Sequence, residues 1–238
     1  MFHRYLIAEI LKLRRSLVVF LCLAAPVCVA LMCVLIGLRG KAASPLANYW
    51  MTGAAFWAFA MLPLSVTALS VLMAQMEHGP RTWDHLLAMP GARNRLFLAK
   101  ALTMFALVAI MTVLVGAMLV LGGYVLDLAK PVTGMIDLRQ LATTLGRMLL
   151  ASGLMCVLQL WTALRFRSFV PPLLLGIIGT FFSVVAAAAR EGAYFPWLMP
   201  LHILSTDQAM QTVALQIGGW GGLAGLAAML FHLSRREA

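Results

Sequence analysis

The run LVVFLCLAAPVCVALMCVLIGL, residues 17–38, carries no charged side chain. Its length matches the roughly 20 residues that an α-helix needs to cross a hydrocarbon core about 30 Å thick. Comparable apolar runs recur along the chain. Of 238 residues, 63% are hydrophobic and 11% charged, against roughly 45–50% and about 25% in soluble domains. The expectation is an all-α, polytopic membrane protein in a single transmembrane domain covering 1–238. Six transmembrane helices are read at 17–38, 52–74, 96–126, 145–164, 169–189 and 214–233. The first run is too long for the apolar core of a cleavable signal, and no small-residue cleavage pattern follows it. It is expected to remain in the mature chain.

Ahead of that run, Phe2, Leu6, Ile10, Leu13 and Leu17 recur at helical spacing, with Arg4, Lys12 and Arg15 roughly opposite. This predicts an amphipathic helix over 1–16 lying in the membrane surface. The plain alternative is an extension of the first span. An even number of spans puts both termini on one side. Of the 18 Lys and Arg, only Arg39, Lys41, Lys130, Arg139, Arg147 and Arg190 fall on the other side, so both termini are assigned to the cytoplasm.

Pro26 and Pro63 sit within the first two spans, where a missing N–H and a ring clash kink a helix. The third run would measure about 46 Å as a helix, so it should tilt or project. Pro171 and Pro172 suit the first turn of the fifth span. Residues 194–204, YFPWLMPLHIL, are apolar, aromatic and broken by proline, and too short to cross. They read as an interfacial or re-entrant element before the last span, with Tyr194 and Trp197 at headgroup depth; a plain outer loop is the alternative. In the last span, Gly218/Gly222 and Gly221/Gly225 form small-xxx-small pairs that let helix backbones approach closely.

Several function classes are disfavoured. The net charge is +10, but the basic residues form no stripe with interleaved aromatics, so no nucleic-acid partner is expected. No G-x-x-x-x-G-K-[ST] loop occurs, so the chain is not expected to bind ATP itself. No H-E-x-x-H occurs, and His78, His85 and His202 form no ligand cluster on one helix. Cys22, Cys28, Cys33 and Cys156 contain no C-x-x-C pair. Met104, Met111 and Met118 recur every seven residues, as do Met148 and Met155; soft metal ligation and plain packing both fit, and packing is the simpler. The spans offer Gln159, Gln216 and hydroxyls such as Ser65 and Thr67 instead of the ionisable groups of a coupled transporter. Lys100 is counted with the preceding connection. Energy for any transport would then come from a separate protein on the cytoplasmic side.

The stretch QMEHGPRTWDHLLAMPGARNR, residues 75–95, is a polar island between two apolar runs. Gly79 and Pro80 can open a short helix, and Pro90 with Gly91 can end it. Trp83, Leu86 and Leu87 would share one face, while Arg81, Asp84 and His85 look elsewhere. A solvated connection anchored to lipid headgroups by Arg93, Arg95 and Lys100 is the alternative.

The chain here resembles the type 2 ABC export permeases, particularly the short six-span branch that includes lantibiotic immunity permeases. The resemblance rests on Glu77, Trp83, Leu86, Leu87, Pro90, Arg93 and Lys100, supported by the amphipathic start and the proline-broken element. It implies that 75–95 is a coupling helix seated in a cleft of a separate cytoplasmic ABC ATPase. Glu77 would stand at the acidic position near that contact, and Trp83 and Leu87 on the docking face. The implied interface comprises Glu77, His78, Arg81, Trp83, Asp84, Leu86, Leu87, Pro90 and Arg93. Two permease subunits, identical or siblings, would pair with two ATPases amid membrane lipids. The permease would hold no cofactor or metal, ATP being bound by the partner, and would not itself be an enzyme. The expected function is export of an amphipathic substrate, such as a peptide antibiotic, lipid or drug, across a bacterial inner membrane. Self-immunity or resistance is a plausible role. A membrane scaffold or sensor that recruits a cytoplasmic partner without transport is the alternative from another class.

Overall fold

The computed structural model describes residues 2–13, 16–40, 45–78 and 93–235. Helix α1 (Phe2–Leu13) precedes α2 (Leu17–Arg39), and the two are separate helices. Ser16, with extended backbone, accepts from Val18 N–H at 3.2 Å and caps a new start. A face of α2 formed by Val18, Cys22, Ala25, Val29 and Cys33 packs inward, while Phe20, Leu23, Val27 and Leu31 look outward. That division is what a helix at the rim of a bundle, open to lipid on one side, requires.

The second apolar run is longer than 52–74. It forms α3 (Leu46–Phe56), a π-helical turn at Trp57–Met61 and α4 (Leu62–His78). The π turn stands just before Pro63, and Leu62 N–H bonds to Trp57 O. The wider turn accommodates a proline that lacks a donor and would otherwise crowd the preceding carbonyl. Helix α5 (Arg93–Ala129) has 37 residues, about 56 Å at the helical rise, and so extends past both ends of the expected 96–126. Met104, Val108, Met111, Val115, Leu119 and Leu126 are buried along one side of it. Met148 and Met155 are likewise enclosed, so these methionines pack between helices. Among the described residues no group of three or more His, Cys, Asp or Glu could hold a metal.

The expected continuous helix at 145–164 is two helices, α6 (Leu138–Ala151) and α7 (Gly153–Arg165), bent by 42°. α6 starts earlier than expected because Asp137 accepts from Arg139 and Gln140 N–H and caps it. The break at Ser152 and Gly153 receives the last helix at backbone distance. A methyl group on Gly218 would lie 2.3 Å from Ala151 O, and one on Gly153 would lie 2.6 Å from Gly218 O. Gly218 and Gly222 therefore serve packing within this chain. α8 (Val170–Ala186) carries Pro171 and Pro172 in its first turn.

Beyond α8, a 3-10 turn at Arg190–Tyr194 leads to a four-residue helix, α9 (Met199–His202). Tyr194 is exposed, but Trp197, Leu198 and Met199 are buried. Trp197 was expected at the membrane edge. Within the bundle its indole covers Gly179 so closely that a methyl there would lie 2.5 Å from the ring, and Phe195 stacks on it. The last run comprises α10 (Gln208–Gln216), a π turn at Ile217–Gly221 and α11 (Gly222–Ser234). Trp161 Nε1 donates to His232 Nδ1 at 2.9 Å and joins α7 to α11.

Among the described residues, four continuous helical runs are long and apolar enough to cross a membrane: Leu17–Arg39, Leu46–His78, Asn94–Ala129 and Gln208–Ser234. The bent pair α6 and α7 makes a fifth if taken as one span, and α8 is a shorter apolar helix of 17 residues. The protein is an all-helical, multi-pass membrane protein.

Candidate functional site

At the end of the bundle where α1 lies, charged side chains converge from α1, α4 and α5. On α1, Phe2, Tyr5, Leu6, Glu9 and Leu13 turn toward the bundle, whereas Ile7, Ile10 and Leu11 are exposed. The expected stripe is thus divided: Phe2, Leu6 and Leu13 turn to the bundle, while Ile10 stays outside it. The inward face also carries a carboxylate, Glu9, with one partner on α1 and one on another helix.

Lys12 Nζ bonds Glu9 Oε1 at 2.7 Å and Glu77 Oε1 at 2.9 Å. Lys100 Nζ bonds Glu9 Oε2 at 2.9 Å and Glu77 Oε1 at 2.6 Å. The result is a four-membered ring in which cation and anion alternate. Lys100 is 1% exposed, Glu77 1% and Glu9 4%; only the Lys12 side chain, at 34%, reaches solvent. Ions removed from water this completely are tolerated when paired and hydrogen-bonded, and removing one partner is costly. Glu77 and Lys100 were expected with the connection, outside the spans. The structure places Lys100 two turns inside α5 and Glu77 in the last turn of α4, and both are enclosed.

Burial pushes the Glu9 carboxyl up, but the Lys100 charge and the hydrogen bonds from both lysines outweigh it, so its pKa falls below the ordinary 4.5. Burial pushes Lys12 down, but hydrogen bonds and charges from Glu9 and Glu77 outweigh it, and its pKa rises above 10.5. A depressed acid stabilises above its unfolded pKa and loses that contribution as pH falls through the folded value. A raised base stabilises below its unfolded pKa and loses the contribution as pH rises through the folded value. Attachment of α1 should therefore be firm between about 4.5 and 10.5 and weaken below and above that window. Amide hydrogen exchange of α1 in lipid nanodiscs, compared by mass spectrometry after correction for intrinsic rates, should show protection at pH 7 that falls at pH 4. Equal protection at both would contradict the pairing.

The same end of α4 is tied elsewhere in the bundle. His78 hydrogen-bonds to the backbone of Ala163, and Gln75 Nε2 reaches Arg167 O at 3.4 Å. Of the expected interface, Glu77 and His78 close α4 and Arg93 opens α5, so the structure places them at the two ends of the connection. Arg81, Trp83, Asp84, Leu86, Leu87 and Pro90 lie outside the described residues. Glu77 was expected at a partner contact; its Oε1 is engaged inside this chain.

Glu9 was not among the expected site residues. Its signals in the sequence were an acid on an apolar helical face and a Lys three residues on, but its long-range partner is 91 residues away.

The family model described as ABC-2 family transporter protein matches residues 5–183. The chain belongs to the ABC-2 transporter family. A membrane transport subunit of this family associates with an ATPase subunit in an ABC transporter. The matched region runs from α1 to α8 and takes in all four ring residues and the connection from 79 to 92. Searches of curated proteins and of solved structures returned no significant match.

Proposed function

We propose that this ABC-2 protein is the permease subunit of an ATP-driven exporter in a bacterial inner membrane, with residues 75–95 as the segment that meets the ATPase. The observation that carries the reading is the family match across α4, the connection and α5, together with charged residues anchoring both flanking helices. Six spans are counted when α6 with α7 is one and α8 another, α8 standing at the lower limit of roughly 17 residues for a crossing helix. Both termini, and α1 as an interfacial helix, then lie at the cytoplasmic face, as the distribution of Lys and Arg supports. A second permease subunit, identical or a sibling, completes the pathway. ATP is held by the ATPase, and the permease has no catalytic role or cofactor.

The substrate is an amphipathic compound: a peptide antibiotic, a lipid or a drug. In support, a cavity of about 530 Å³ between α5, α7 and the last run is lined by apolar groups such as Met104, Phe105, Trp220 and Leu223. If the substrate is a membrane-active peptide, the role is self-immunity or resistance, as in the lantibiotic branch that the sequence resembles.

Trp83 carries the test. Trp83→Ala should leave membrane insertion and yield unchanged, yet lower permease-dependent ATP hydrolysis at least tenfold or release the ATPase from the purified complex. Unchanged hydrolysis and assembly would overturn the docking role of this segment.

A further inference from the structure

The ion-pair ring joins three helices, of which only α4 and α5 flank the connection. Glu77 is one residue from the end of α4, and Lys100 is seven residues from the start of α5. Both positions thus stand near the two ends of the connection. Both are bonded to α1, Glu77 through Lys12 and Lys100 through Glu9. We infer that Glu9 and Lys12 latch α1 to the paired ends of α4 and α5, so that α1 moves with them as one body when the connection is displaced. This rests on the permease reading for the origin of the displacement, but the latch itself is a property of this chain alone.

The ring favours a latch over a proton relay because each lysine already bonds two carboxylates, at 2.6–2.9 Å, in an arrangement that loses two ion pairs if one proton leaves. Neighbouring helices are usually held by apolar contacts that allow sliding. Directed ion pairs in a water-poor site hold one register. The exposed apolar side chains Ile7, Ile10 and Leu11 lie on the opposite side of α1, so motion of the connection would reach whatever surrounds that face.

The ring allows a clean test, because its two α1 members carry opposite charges. The double variant Glu9→Gln with Lys12→Gln removes both, keeps the net charge, and leaves the Lys100–Glu77 pair between α4 and α5. In nanodiscs containing the full chain, exchange of α1 amides should rise at least tenfold in this variant while α4 and α5 stay protected. Lys12→Arg, which keeps the charge, should behave as the native chain. In the complex with its ATPase, the double variant should lower kcat for permease-dependent ATP hydrolysis several-fold and leave KM for ATP unchanged.

Unchanged α1 protection overturns the latch, whatever the ATPase does. A freed α1 with native kcat overturns its part in transmission and leaves the permease reading standing. If the native chain neither binds nor stimulates an ATPase, the permease reading and α1's part in coupling both fail, while exchange still decides whether α1 is latched.

Discussion

Replacing Lys100 by Met should be the most damaging single change at the ring. The ammonium is 1% exposed and bonds both Glu9 and Glu77. Without it, two enclosed carboxylates share Lys12 alone, and Lys12 is the ring member already one-third exposed. Breaking a buried pair by removing one partner typically costs about 3–5 kcal/mol, because the surviving charge remains out of water. We expect Lys100→Met to lower the unfolding midpoint in detergent by an amount equivalent to that loss. Lys100→Arg should lose much less, since the charge and donors are kept. Adding Glu9→Gln and Glu77→Gln to Lys100→Met should recover part of the loss, because the stranded carboxylates are then gone. Equal stability of Lys100→Met and the native chain would show that these charges are not enclosed together.

The second large effect is expected at Gly218. A methyl group there would meet Ala151 backbone atoms at 2.3–2.5 Å, and backbone cannot rotate away as a side-chain tip can. Gly218→Ala must therefore push the last run off the α6–α7 bend, at a cost of about 1–3 kcal/mol or more. Gly219, the next residue, has nothing within 4 Å of such a methyl. Gly219→Ala should be neutral or stabilise by up to about 1 kcal/mol through helix propensity. Unfolding of the two variants side by side gives the comparison, and similar behaviour would contradict the close crossing.

Apolar length was the most legible property of this chain. The uncharged run at 17–38 emerged as Leu17–Arg39, because hydropathy and helix geometry ask for the same length. Helix α5 began ahead of its expected bound since Arg93 and Arg95 are good helix formers; polarity ended the apolar window but not the backbone hydrogen bonding. The bend at Ser152 was hidden because the glycine that fits it, Gly218, is distant in sequence. The burial of Trp197 was hidden for a related reason, as the space left by Gly179 receives it. At the candidate site, Glu77 and Lys100 were visible as charges bordering the polar island. Their mutual bond, and Glu9 as the link between α1 and α5, depend on contacts between helices that no local pattern encodes.

The most direct measurement of the central claim is affinity purification of the tagged full-length chain from native membranes, followed by an ATP hydrolysis assay. An ATP-binding subunit should copurify in stoichiometric amount and hydrolyse ATP faster with the permease than alone. Loss of both copurification and stimulation in Trp83→Ala would place the contact on the connection between α4 and α5. A native chain that repeatedly purifies without any ATPase, from membranes where its partner genes are expressed, would contradict the account.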